Sequence, residues 1–99
     1  MLDRAVFLSV AEQLMRGTEV RIEGHTSKVN RTGSQRFRTL RFSTGGREYQ
    51  AIEQNPEKPS RWGQLARQGK RVVQFRDLQT HKYVAVSVDQ EFHEYERKI

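Results

Sequence analysis

Residues 71–96 read RVVQFRDLQTHKYVAVSVDQEFHEYE, a run punctuated like three short antiparallel strands joined by two tight turns. Val72, Val73 and Phe75 mark the first strand. Asp77-Leu78-Gln79-Thr80 follows as a turn, because Asp and Thr side chains bond nearby backbone groups. The run Tyr83-Val84-Ala85-Val86-Ser87-Val88 is the strongest strand signal in the chain. Strict alternation would put Val84, Val86 and Val88 on one face and Tyr83, Ala85 and Ser87 on the other. Asp89-Gln90 occupies the place of a two-residue hairpin turn, although glycine at the second position is the preferred chemistry. Residues 91–95 then return, with Phe92 as the inward anchor. Three strands with one apolar face need a cover, and the rest of the chain must supply it.

Working back from that meander, residues 2–16 carry an amphipathic helical pattern. Asp3 can cap it and Gly17 can end it. Val6, Val10 and Leu14, with Phe7 and Ala11, fill one broad face. Ala5, Leu8 and Met15 make the helix apolar over more than one stripe, which raises self-association through this helix as a second use. Residues 18–23 read as a strand with Val20 and Ile22 on one face, Gly24-His25 as its turn, and residues 27–31 as the return. Residues 30–35 form a polar loop.

Residues 36–43, RFRTLRFS, are a further strand, Thr44-Gly45-Gly46 its turn and residues 47–53 the return. In RFRTLRFS simple alternation separates Phe37 from Leu40 and Phe42. Either a bulge brings Phe37 and Leu40 to one side, or one aromatic ring stays exposed. Residues 55–59 are a loop set by two prolines. A short helix follows, with Ser60 as N-cap, Trp62, Leu65 and Ala66 at helical spacing, and Gly69 as the stop. Gly63 inside it costs about 1 kcal/mol relative to alanine, so this helix needs packing to hold it. The expected fold is α+β. The two helices pack on a twisted antiparallel sheet of six or seven short strands, with a partly closed barrel as a variant, in a single domain over residues 1–99.

Composition narrows the function. The 99 residues are 34% hydrophobic and 30% charged, polar for a folded domain but too regular in β-branched and aromatic residues for disorder. With no cysteine, there is no disulfide staple and no thiol chemistry, whereas small secreted domains usually carry staples. The first residues lack a signal-peptide pattern, since Asp3 precedes the apolar run and Glu12 follows it. No apolar stretch approaches the roughly 20 residues of a membrane helix. The resulting expectation is a cytoplasmic protein with no membrane partner.

The formal net charge is +6, and arginine outnumbers lysine by 13 to 5. Two windows are free of acids. One holds Lys28, Arg31, Arg36, Arg38, Arg41 and Arg47; the other holds Lys58, Arg61, Arg67, Lys70, Arg71 and Arg76. Segregated positive charge attracts anionic partners. The guanidinium fork matches phosphate oxygens and stacks on flat rings. Arg31, Arg36, Arg38, Arg41 and Arg47 are therefore candidate nucleic-acid contacts, with Phe37, Tyr49 and Trp62 as candidates for base stacking. Lys58, Ser60, Arg61 and Trp62, at the start of the short helix, are a candidate anion site; plain capping explains the same residues. Thr44-Gly45-Gly46-Arg47 lacks P-loop spacing and leads into a strand.

Catalytic and metal chemistry find little footing. There is no GxSxG elbow, and no nucleophile, base and oxyanion group can be assembled. His25, His81 and His93 are not spaced as ligands on a helix. Glu91, His93 and Tyr95 share a strand face where a zinc ion is conceivable, but an exposed polar face accounts for them too. The expectation is a small, basic, non-enzymatic binding module with no cofactor. Its partner would be nucleic acid or, alternatively, another protein or a second copy of the chain.

Overall fold

The computed structural model describes residues 3–32 and 36–94. In chain order the elements are α1 (Arg4–Arg16), β1 (Glu19–Ile22), β2 (His25–Lys28), β3 (Asn30–Thr32), β4 (Phe37–Thr44), β5 (Arg47–Glu53), α2 (Arg61–Arg67), β6 (Val72–Asp77), β7 (Lys82–Val88) and β8 (Glu91–Glu94). Strands β3 to β8 form one six-stranded antiparallel sheet in sequential order, and β1 pairs with β2 in a separate two-stranded sheet. The fold is α+β. The sheet is open: β3 and β8 are its two edges and do not pair, so the barrel variant is set aside. None of the described helices is long and apolar enough to cross a membrane.

Local chemistry sets most boundaries. The Asp3 carboxylate accepts from the Ala5 amide and caps α1. Glycines at 45 and 46 take φ of 59° and 75° in the β4–β5 turn, the left-handed conformation that a tight hairpin demands. Ser60 accepts from the Gly63 amide at the start of α2. At its end the Gly69 amide donates to Ala66 and the Lys70 amide to Leu65, the reciprocal pattern that glycine in the left-handed region allows. Gly63 is dictated by close approach. A Cβ there would stand 2.3 Å from the Lys58 carbonyl oxygen and 2.9 Å from that of Asn55. The proline-set loop thus lies directly against the helix.

The two faces of the sheet are covered unequally. Helix α1 packs Phe7, Val10, Ala11 and Leu14 onto one face, against Leu40, Phe42, Tyr49, Ala51, Val73, Phe75, Ala85 and Phe92. The Phe7 ring stands edge-on to Phe75 at 4.7 Å, Tyr49 at 5.0 Å and Phe42 at 5.6 Å. Each such pair adds about 0.5–1.5 kcal/mol beyond the area it buries. Val6, Leu8 and Met15 are partly buried against the same core. Of the residues whose apolar surplus suggested self-association, Leu8 and Met15 are thus partly taken up within the chain, and Ala5 is exposed. On the opposite face, helix cover among the described residues lies at one end, where Trp62, Leu65 and Ala66 of α2 pack on Val72, Val86 and Val88.

Four details correct or settle the sequence reading. The register between β6 and β7 shifts at Phe75/Arg76, so that Phe75 faces Ala85 while Arg76 faces Tyr83. The extra residue, Val84, packs into the α1-side core, and only Val86 and Val88 reach the other face. Strand β4, by contrast, pairs with β5 in unbroken register from Thr39 to Thr44; alternation then puts Phe37 with Thr39 and Arg41, opposite Leu40. Third, residues 30–32 of the expected loop form β3, opposite residues 37–39 of β4. The β1–β2 turn also falls one residue early, at Glu23 and Gly24, with φ of 51° and 82°.

Candidate nucleic-acid interface

Alternation along β4, β5 and β6 sends Arg41, Gln50 and Arg76 away from the α1-side core. The ladders place them in one transverse row, Arg41 opposite Gln50, Gln50 opposite Arg76, and Arg76 opposite Tyr83. At about 4.8 Å per strand, Arg41 and Arg76 are roughly 10 Å apart across the sheet, with Tyr83 one strand further. No helix of the described residues covers this row. Arg41 is exposed, Gln50 and Arg76 are half-buried, and Tyr83 is 37% accessible, the one large apolar side chain exposed among the described residues. A second row of Thr39, Ile52, Gln74 and Val86 runs beside it towards α2.

Hydrogen bonds hold the row in place. The Gln50 amide donates to the Thr39 hydroxyl at 3.0 Å, and that hydroxyl donates to the Ala51 carbonyl at 3.1 Å. Arg76 Nη2 lies 3.3 Å from His81 Nδ1, while Arg76 Nε is buried without a hydrogen-bond partner among the described residues. The Arg76 guanidinium is thus half sunk in the sheet with its head steered by the turn. Beyond Arg41, the groove between β2 and β4 is lined by Ile22, His25, Ser27, Ser43 and Glu48 and encloses about 340 Å³. Glu48 is the acid nearest this end in the ladder, opposite Ser43.

The remaining candidates are dispersed. Tyr49 is only 5% accessible and lies in the aromatic core against Phe7, so its ring is not presented for stacking. Burial pushes its phenol pKa up, and the neighbouring Asp77 carboxylate adds to the rise while Arg47 opposes it. Arg47 Nε is paired with the buried Asp77 carboxylate at 3.0 Å, a structural bond in place of a ligand contact. Phe37 is half-buried on the open face. Arg36 occupies a turn with φ of 62°. Arg31 and Arg38 share the opposite side of the sheet, beside the end of α1.

At the start of α2, Ser60 acts as the cap, and the Arg61 guanidinium sits 5.0 Å from the Trp62 ring centre. Trp62 is half-buried on Val72, Val86 and Val88. Lys58 is exposed. Capping accounts for Ser60, and packing for Trp62 with Arg61 over its ring. Lys70 lies 3.4 Å from Asp89, and Arg67 donates to the Pro56 carbonyl. The two acid-free windows therefore meet on the open face through Arg41 and Arg76, not as whole segments. Glu91 and His93 are 3.5 Å apart, Tyr95 lies outside the described residues, and no three metal-ligating side chains cluster among the described ones.

Charge counting along the chain missed Gln50, Arg76 and Tyr83 as partners of Arg41. The pattern that identifies Arg76 was available: with Val73 and Phe75 inward, Gln74 and Arg76 must face outward. Tyr83 needed the bulge, which alternation cannot show. Comparison with protein-family models, with curated proteins and with solved structures found no match to this chain.

Proposed function

We propose that this protein binds single-stranded nucleic acid across the open face of its sheet. The observation that carries the reading is the uncovered row Arg41, Gln50, Arg76 and Tyr83, with cations at two positions, an amide between them and an accessible aromatic ring at the end. Arg41 and Arg76 engage phosphate oxygens or stack on base planes. Gln50 offers both a donor and an acceptor to base edges. Tyr83 supplies a stacking surface, a contact worth about 1–3 kcal/mol per base and tolerant of sequence. The polar face suits unpaired strands, whose bases can be splayed onto a sheet.

Fluorescence anisotropy with a labelled mixed-sequence single-stranded oligonucleotide tests this. Binding should weaken steeply with salt. In the double variant Arg41→Gln/Arg76→Gln the slope of log K against log salt should become shallower by about 1.4, from about 0.7 for each of two lost phosphates. Tyr83→Ala should weaken binding about 5- to 150-fold with little change in that slope. Absence of binding at low ionic strength, or a double variant that binds like the parent, would overturn the proposal.

A further inference from the structure

The opposite side of β4 carries a second cationic cluster that the open face does not use. Arg31 and Arg38 are directly opposed in the β3–β4 ladder, so both side chains leave the sheet on one side with Cβ atoms about 5 Å apart. Like charges in that relation destabilise a strand pair. Arg16, in the last turn of α1, completes the group. Together with Gly17, Thr18 and Val29 these arginines line a depression of about 150 Å³ bordered by α1, β3 and β4. The negative end of the helix dipole accounts for a cation at Arg16; it does not account for the two opposed arginines below.

Internal pairing leaves the cluster positive. Arg16 shares its charge with Glu12 at 3.1 Å. Arg31 Nη1 donates to a neutral acceptor, the Arg36 carbonyl, at 2.9 Å. The Arg38 guanidinium has no hydrogen-bond or ion-pair partner among the described residues; the Glu53 carboxylate on the adjoining strand accepts the Arg38 backbone N–H at 2.8 Å.

We infer that Arg16, Arg31 and Arg38 form a binding site for a phosphate dianion, either inorganic phosphate or a terminal phosphate monoester. Guanidinium forks match the geometry of phosphate oxygens, and the Thr18 hydroxyl on the rim adds a donor. At about 150 Å³ the depression has room for a tetrahedral oxyanion. With Glu12 beside Arg16 and the Glu53 carboxylate on the Arg38 backbone N–H, the group keeps a net positive charge, held on two guanidinium groups that face each other across the ladder. A backbone phosphodiester, with one charge and two bulky substituents, is the poorer match. The ligand then offsets an Arg31–Arg38 repulsion that no ion pair among the described residues relieves. This site does not depend on the open face.

Thermal unfolding in phosphate-free buffer, titrated with inorganic phosphate at an ionic strength held constant with sodium chloride, tests it. At about three times the dissociation constant the midpoint should rise by about 3–6 °C. Arg38→Gln should raise the midpoint without phosphate, by removing the repulsion, and should abolish the phosphate response. Arg41→Gln should keep that response. A 5′-phosphorylated oligonucleotide that binds the parent more tightly than its 5′-hydroxyl form, with the preference lost in Arg38→Gln, makes a strand end the source of the phosphate; equal binding makes it a small free phosphate. A phosphate effect no larger than that of chloride, or an equal one in Arg38→Gln, would overturn the inference.

Discussion

At the scale of single residues, Asp77 does more than its place in a turn suggests. One carboxylate oxygen accepts from the Gln79 and Thr80 amides, and the other meets Arg47 Nε at 3.0 Å. It therefore ties the β6–β7 turn to the β4–β5 hairpin. Burial alone would raise its pKa, but those backbone hydrogen bonds and the Arg47 guanidinium outweigh burial and leave it below the usual carboxylate value. A carboxyl depressed on folding stabilises the protein fully above its unfolded pKa of about 3.9, and that contribution is lost as pH falls through the lower folded value. Asp77→Asn keeps an acceptor for the turn amides and loses the ion pair. The variant should be less stable than the parent at neutral pH, and the gap should narrow below about pH 4. Unfolding midpoints measured from neutral pH down to about pH 2.5 check this; parallel curves would mean that the carboxylate is not the group involved.

At the scale of elements, the turns separate what could be read from the chain from what could not. The Thr44-Gly45-Gly46 hairpin and the Ser60-to-Gly69 helix declare themselves, because their special backbone angles and caps require those residue types. The register shift in β7 does not, since Val84, Val86 and Val88 look alike in a strand whichever way they point. Strand β3 escaped notice because a short polar strand on a sheet edge has no apolar alternation to show. The Asp89-Gln90 turn lies between these cases. Both residues have positive φ, 46° and 72°. Asp89 is fastened by the Arg71 amide at 2.9 Å and by Lys70 at 3.4 Å. Among the described residues, Gln90 has a single 3.4 Å side-chain contact, to Glu12, in return for its strained backbone. Gln90→Gly should therefore stabilise the protein by about 0.5–1 kcal/mol, seen as a rise of about 3–6 °C in the unfolding midpoint. A lower midpoint would mean that the Glu12 contact matters more than the left-handed strain.

At the scale of the whole molecule, the architecture was legible and the surface was not. Apolar periodicity records which side chains go inward, and Phe7, Val10, Leu14, Phe75 and Phe92 all did. Where cations meet depends on strand order and register, and so Arg41 came to share a row with Arg76 while Arg47 was taken by Asp77. The unequal cover of the two faces has a further consequence. The α1 side is sealed by fully buried aromatic and aliphatic groups, with Phe7 and Phe75 at 1% and 0% accessibility. The α2 layer rests on three valines through side chains that are only half-buried, Trp62, Leu65 and Ala66. Local stability follows buried apolar contact, so α2 should open without the rest of the sheet. Amide hydrogen exchange should then show the α2 backbone exchanging well before β5 and β6. Phe7→Leu, expected to cost about 1–2 kcal/mol, should speed exchange in β5 about 5- to 30-fold and leave α2 unchanged, because the opening that exposes α2 does not involve Phe7. If both regions accelerate together, the two layers unfold as one cooperative unit, and α2 is held by more than its valine seat.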